Sequence, residues 1–374
     1  MNKDEAVHIS VDETHDGEQI SISDLSKRGY QLLKENYIDR AIECFEEIIE
    51  IDPENNYALV GLGDAARKKH YYRDAVAHYQ KCLSHHPGNN YALFGLADCH
   101  KALNQFAKAI EIWEQYLEHD DQNVTVLTRV ADAYRKENNF RRSKEIYDRA
   151  LEIESDNAYA LIGLGHLHYD FREFQQALVY WKRMLEVHER NVDIRVLTSI
   201  GNCHRKLKTY SEGVAYFERA LELEPKNFYA LFGLADCFRG MDEHEKSLDY
   251  WQRILDRDPS NKVILTRTGD AHRHLGHLDE AEDFYQKALN IEFDEFAILG
   301  LALISKERGN YPDAIASLRT LVKNDAKNHR LYTEIAECHL KLGERDRAEE
   351  VLTEFVNLGI RNSYVSDMLR KIKS

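Results

Sequence analysis

The chain reads as an all-α solenoid of stacked helical hairpins, and three observations carry that reading. A 34-residue period runs through it: the nine residues Y-A-L-F-G-L-A-D-C at 91–99 recur unchanged at 229–237, with weaker copies starting at Tyr57 and Tyr159. A fixed period of this length belongs to stacked repeats rather than to a globular enzyme fold. Small residues recur at one register position, namely Ala41, Ala75, Ala109, Ser143, Ala177, Gly213, Ser247, Ala281, Ala314 and Ala348. Four of the five prolines, Pro53, Pro87, Pro225 and Pro259, recur at another.

Setting the small residue at position 20 gives ten repeats, beginning at 22, 56, 90, 124, 158, 194, 228, 262, 295 and 329. The spacing departs from 34 by two extra residues before 194, near Glu189 to Asp193, and one fewer before 295. The insertion predicts a longer turn between the fifth and sixth repeats. Within each repeat, apolar residues at positions 4, 7, 8 and 11 make one helical stripe, as in Leu93, Leu96, Ala97 and His100. Positions 20, 24 and 27 make a second, as in Ala109, Trp113 and Tyr116. Small residues at 8 and 20 let the two helices approach, and the aromatic at 24 fills the space beside them. The prolines fall at position 32, just past a helix end, where a missing N–H donor costs nothing.

With these small, large and proline positions, the chain resembles the tetratricopeptide-repeat family over roughly residues 22–361. The resemblance implies a right-handed superhelix of about ten helical hairpins, with each first helix lining an inner concave groove. It also implies peptide or helix partners held in that groove, and rarely catalysis. Departures are local: Gly213 stands at position 20 of the sixth repeat, and Leu318 and Leu352 replace the usual aromatic. The Lys and Asn pattern that clamps chaperone tails in related proteins is absent, its positions holding pairs such as Phe94/Asp98 and Thr128/Asp132. Recognition of a heat-shock chaperone tail is therefore not expected.

Composition narrows the partners. A net charge of −15 disfavours nucleic acid and anionic membranes. Residues 1–21 carry six acids against Lys3 alone and predict a disordered acidic tail. No apolar run follows Met1-Asn2-Lys3-Asp4-Glu5 as a secretory signal requires, and no stretch of 18 apolar residues exists, so a cytoplasmic protein without membrane insertion is expected. Cys99, Cys203, Cys237 and Cys338 share position 10, too far apart in a regular stack to pair, so the thiols are expected to be reduced. Residues 362–374, with Tyr364, Met368, Leu369 and Ile372 on one face, are expected to form a C-terminal capping helix.

Enzyme motifs have structural explanations. Gly61-Leu62-Gly63 and Gly163-Leu164-Gly165 lack the third glycine of a dinucleotide loop and lie inside helices, where close packing explains them. His272, His274 and His277 do not have the i, i+4 spacing of a zinc pair. No catalytic, cofactor or metal site is expected.

The groove should carry the function. Positions 2, 5, 9 and 12 form the stripe of each first helix left over from packing. Position 9 is Asp64, Asp98, Asp132, Asp236 and Asp270, interrupted by His166 and Asn202, and position 12 is Arg67, Lys101, Arg135, Arg205, Arg239 and Arg273. Around this ladder stand Tyr57, Tyr91, Tyr159 and Tyr229 at position 2. The alternating repeats instead place Arg129 and Arg267 at position 6 and Arg195 at position 2, a two-repeat pattern that an ancestral duplication explains. Two readings stay open. Asp and Arg three residues apart form a structural ladder worth ~0.2–0.5 kcal/mol per pair, or they present acceptors and donors to an extended partner while the tyrosines pack its side chains. The fifth and sixth repeats, where Asp gives way to His166 and Asn202 beside Arg195 and Arg205, predict an anchor for an acidic segment.

The ninth repeat differs: its first helix is apolar on every side, and Phe296, Leu299 and Leu303 take groove positions that are polar elsewhere. This predicts an apolar patch covered by a partner, a second copy or the chain's own C-terminal segment. The function expected is a non-enzymatic scaffold or adaptor for a protein or peptide partner. The alternatives are a self-assembling homo-oligomer and a regulatory or recruiting subunit of a separate enzyme.

Overall fold

The structure, a computed structural model, describes residues 21–188 and 192–373. The expected acidic tail therefore lies, apart from Ser21, outside the described residues, as do residues 189–191 of the inter-repeat insertion. Among the described residues there are twenty-one α-helices and no strand. They divide into two compact bodies, one ending at Phe171 and one beginning at Arg172.

The N-terminal body is built from α1 (Ile22–Lys34), α2 (Ile38–Ile51), α3 (Asn56–Lys68), α4 (Tyr72–His85), α5 (Asn90–Ala102), α6 (Phe106–His119), α7 (Val124–Lys136), α8 (Phe140–Ile153) and α9 (Ala158–Asp170). The C-terminal body contains α10 (Phe174–Val187), α11 (Ile194–Leu207), α12 (Tyr210–Leu223), α13 (Phe228–Gly240), α14 (His244–Leu255), α15 (Lys262–His274) and α16 (Leu278–Ile291). It closes with α17 (Glu295–Glu307), α18 (Tyr311–Asn324), α19 (His329–Lys341), α20 (Arg345–Asn357) and α21 (Ser363–Lys373). Each body is thus a helical-repeat stack, and every first helix starts where the repeat register places it.

Local chemistry explains those starts. Asn55, Asn89, Asn123 and Asn157 each precede a first helix and accept a hydrogen bond from the backbone N–H three residues on. Such a cap is worth about 1 kcal/mol. Asn227 and Asn261 do the same in the C-terminal body, with Asp294 taking the role before α17. Each hairpin then turns through a residue in the left-handed region: Asn36, His70, Asn104 and Asn138 in the first body, and Arg172, Lys208, Asp242, Gly276, Gly309 and Gly343 in the second. The following residue's N–H reaches back five residues, as in Tyr37 to the Leu32 carbonyl at 2.8 Å, which satisfies a carbonyl left over at the helix end.

The aromatic at position 24 is the wedge between repeats. A Cβ added to Gly61 would lie 2.4 Å from the Phe45 ring, and one added to Gly95 would lie 2.3 Å from the Tyr79 ring. Tyr147 meets Gly163 in the same way, Phe217 meets Gly233 and Tyr285 meets Gly300. Glycine thus occupies position 6 wherever the preceding repeat supplies Phe or Tyr. Where it supplies Trp113, Trp181 or Trp251, all buried, position 6 is Arg129, Ser199 or Arg267 instead. The two-repeat alternation has a packing correlate as well as a history.

At the C-terminal end, Leu318 and Leu352 fill the aromatic position and are fully buried. Tyr332 and Phe355 pack at 5.2 Å between ring centroids, and α21 adds Val365 and Ile372 to the same core. Arg345 Nε fastens that helix by donating to the Ile372 carbonyl at 2.6 Å.

Candidate partner-binding face

The first-helix stripe combines exposed aromatics with charges that are largely satisfied by one another. Tyr57, Tyr91, Tyr159 and Tyr229 are 61%, 79%, 77% and 68% exposed. Beneath them in register, the charges bridge successive first helices as well as neighbours three residues apart. Arg67 donates to Asp64 at 2.9 Å and approaches Asp98 on the next first helix at 3.6 Å. Arg129 reaches back to the same Asp98 at 2.8 Å, its guanidinium lying 4.9 Å from the Phe94 ring centroid. Lys101 pairs with Asp132 at 3.0 Å, and Arg135 joins Asp132 to Asp170.

The C-terminal body repeats this hub with one change. Asp236, buried, is held by Arg205, by Arg239 at 2.8 Å and by Arg267 at 3.6 Å, with Phe232 beneath Arg205 and Arg267. Where Asp236 has Arg239 three residues on, Asp98 has Lys101, whose single ammonium goes to Asp132 instead. Arg239 directs two donors of its planar fork, Nε at 3.0 Å and Nη2 at 2.8 Å, at Asp236 Oδ1, which the ammonium of Lys101, turned to another acid, does not do for Asp98. Accordingly burial lifts the Asp98 carboxyl above the usual carboxylate range despite Arg129 and Arg67. At Asp236 burial pushes the same way, but Arg239, Arg205 and Arg267 outweigh it and hold the carboxyl below that range. Asp132 is also held low, Lys101 and Arg135 overcoming its burial.

Other expected groove residues are drawn into the structure itself. The Tyr79 hydroxyl donates to Asp64 and the Tyr285 hydroxyl to Asp270, each at 2.7 Å, while Arg273 pairs with Glu307 at 2.6 Å. Of the residues expected to anchor an acidic segment at the fifth and sixth repeats, Arg195 pairs at 2.6 Å with Asp193, the cap of its own helix, and Arg205 is engaged by Asp236. His166 lies in the N-terminal body, where burial and the nearby Arg135 charge lower its proton affinity, and Asn202 is half-buried in the other.

The three residues of the expected apolar patch differ in exposure. Leu303 is buried at 7% exposure, Leu299 is half-buried against the terminal core, and only Phe296 stands out, at 74%. The three instead line a pocket of about 260 Å³ with Arg239, His244, Asp270, Arg273, His274 and Arg330 among its walls. His244 and His274 stack there, 4.6 Å between centroids and nearly parallel. The histidine string divides accordingly, since His272 stacks on Phe284 rather than beside His274. Among the described residues no three His, Cys, Asp or Glu side chains converge as a metal site. Sequence reasoning missed Arg330 and His244. Arg330 occupies position 2, the register of Tyr229 and Phe296, so its place was available; His244, on a second helix, carried no signal.

All six cysteines are buried and unpaired, and burial pushes the Cys99, Cys203 and Cys237 thiols up to about 12. Among the described residues no helix is long and apolar enough to cross a membrane.

Three family models, each described as tetratricopeptide repeat, match the chain: one over residues 66–131 and 306–357, another over 129–187, 201–262 and 238–297, and a third over 27–55. The chain belongs to the tetratricopeptide-repeat family, whose stacked hairpins are protein-interaction scaffolds. Similar solved structures include YrrB, described as a TPR protein with an unusual peptide-binding site, at 19% identity over 50% of this chain and 95% of that one, TM-score 0.45. Pseudomonas aeruginosa pilF is 15% identical over 56% of this chain and 94% of that one, TM-score 0.48. MamA is 23% identical over 46% of this chain and 94% of that one, TM-score 0.42. These likenesses concern the fold alone. No curated protein matches the chain.

Proposed function

We propose that the chain is a non-enzymatic scaffold that holds an extended segment of a protein partner on its first-helix face. The observation that carries this is the tyrosine row. The aromatics at position 24, such as Tyr79 and Trp113, are buried, whereas at position 2 of the first helices Tyr57, Tyr91 and Tyr159 in the N-terminal body and Tyr229 in the C-terminal body stand exposed. Tyrosine brings a large rigid contact area with a polar tip, which suits a surface that is wet when free and covered when bound. The ladder beneath supplies orientation more than affinity, because Asp98, Asp132 and Asp236 already have their cations.

A random-peptide display library panned on the full chain tests this. Peptides selected on the wild type should lose at least tenfold in affinity to the double variant Tyr91→Ala/Tyr159→Ala, with the circular-dichroism melt unchanged. Equal affinity for the two proteins would contradict the reading.

A further inference from the structure

Charge in the N-terminal body is sorted by edge. Positions 12–19 of each repeat run from the end of the first helix through the hairpin turn to the start of the second. In the second to fourth repeats, residues 67–74, 101–108 and 135–142, these positions carry ten Lys or Arg against two acids, Asp74 and Glu137. Positions 28–34 of the same repeats, at the other end of the helices, carry six acids and no Lys or Arg. The seventh and eighth repeats show no such excess, with three cations against five acids at positions 12–19.

Half of those ten cations are already engaged. Arg67, Lys101 and Arg135 belong to the ladder, Lys69 pairs with Asp39, and Arg142 pairs with Glu145 at 3.1 Å. Lys68, Arg73, Lys108, Lys136 and Arg141 remain, exposed and without an ion pair among the described residues. Lys68 and Lys136 share position 13, and Arg73 and Arg141 share position 18, so the row follows the two-repeat pattern. An aromatic stands among them: Tyr71, between Lys68 and Arg73 in the chain, is 60% exposed, and Tyr37 holds the same position one repeat earlier at 55%. Neither side chain caps the helix that follows it.

Distance and screening make this edge independent of the net charge. A 14-residue second helix such as α4 is roughly 21 Å long, and the screening length at 0.1 M salt is about 10 Å. The acids at the far end of the helices are therefore largely screened from a ligand at the hairpin turns. The net charge of −15 acts at long range, whereas the five unpaired cations act on contact.

We infer that the hairpin-turn edge of the second to fourth repeats binds a single-stranded polynucleotide, its phosphates on Lys68, Arg73, Lys108, Lys136 and Arg141 and a base stacked on Tyr71. Cations alone would suit any polyanion. The exposed tyrosine among them adds a flat ring on which an unpaired base stacks, and single-strand binding combines these two elements. An acidic peptide brings carboxylates without such a base, and a duplex keeps its bases paired. The edge lies off the first-helix face, so the inference does not depend on that face holding a protein partner.

Fluorescence anisotropy with the full chain and labelled oligomers of about sixteen units tests it: oligo-dT, oligo-U, a DNA duplex and an oligoglutamate peptide. Either single strand should bind at least tenfold more tightly than the duplex and the peptide, and the tighter of the two identifies the sugar. Between about 50 and 200 mM salt, five phosphate contacts give a log–log slope of about −3.5. Arg73→Gln/Arg141→Gln should flatten that slope to about −2. Tyr71→Ala should weaken single-strand binding about fivefold or more with the slope unchanged, and Tyr71→Phe should retain it. All three side chains are exposed, so the circular-dichroism melt of each variant should match the wild type. Absence of binding up to about 100 μM protein, or a slope unchanged in Arg73→Gln/Arg141→Gln, would overturn the proposal. Equal binding of oligoglutamate would overturn it in favour of an acidic protein partner, and equal binding of the duplex, or full affinity in Tyr71→Ala, would remove the stacked base on which it stands.

Discussion

Arg129 Nη1 donates to Asp98 Oδ1 at 2.8 Å, tying the first helix of the fourth repeat to that of the third. Its counterpart in the C-terminal body is Arg267 on Asp236 at 3.6 Å, where two further arginines share the acid. The ladder on the first-helix face is therefore a set of ties between repeats.

The two hubs should respond unequally to neutralisation. Asp236→Asn leaves three guanidinium groups around a buried neutral amide and should cost about 3–5 kcal/mol. Asp98→Asn should cost less, because burial already disfavours its charge. Urea midpoints of the two variants check the order, and an equal or reversed effect would contradict it.

Acid should weaken the fold before the carboxylates titrate. Burial is the largest cause lowering the proton affinity of His78, His166, His204, His244 and His272. The unfolded chain takes up these protons near pH 6.5 and the folded one does not. Their contribution is present above that pH and lost as pH falls through and below it. Midpoints at pH 7.5, 6.5 and 5.5 should decline in that order; Asp98, with its raised pKa, acts in the opposite sense only nearer the carboxylate range.

The wedge between repeats makes one glycine costly and another cheap to replace. Gly95→Ala puts a Cβ 2.3 Å from the buried Tyr79 ring and should cost about 1–3 kcal/mol by overpacking. Gly88→Ala meets only His119 at 3.9 Å and should be near neutral. Thermal melts of the pair check the contrast.

Hairpin turns offer stabilisation in one direction only. Lys208 sits at φ 61° where Gly276 sits at φ 79° in the eighth repeat. Lys208→Gly should relieve strain, whereas Gly276→Ala should cost about 1–2 kcal/mol though nothing lies near its Cβ. A melt in which Gly276→Ala is neutral would contradict the turn's demand for a left-handed residue.

The sequence made the helices legible because a period shows in the chain itself: α3, α5 and α7 begin at 56, 90 and 124, the register starts of their repeats. Exposure of the position 2 tyrosines followed from the same register. Partnerships between repeats were not legible in that way. Asp98 and Lys101 stand three residues apart, but the ammonium goes to Asp132, which depends on the approach of the next first helix rather than on local spacing. The stripe rule likewise gave Leu303 a face without showing what packs over it, and the residue is buried.

Site-specific photo-crosslinking tests the central claim most directly. A photoreactive amino acid is placed at Tyr91 or Tyr159 on first helices, or at Ile51 or Ile153, exposed on second helices, in cells that make the protein natively. A partner adduct from the tyrosine positions and none from the isoleucine positions is the result expected of a first-helix binding face; adducts confined to Ile51 or Ile153 would contradict it.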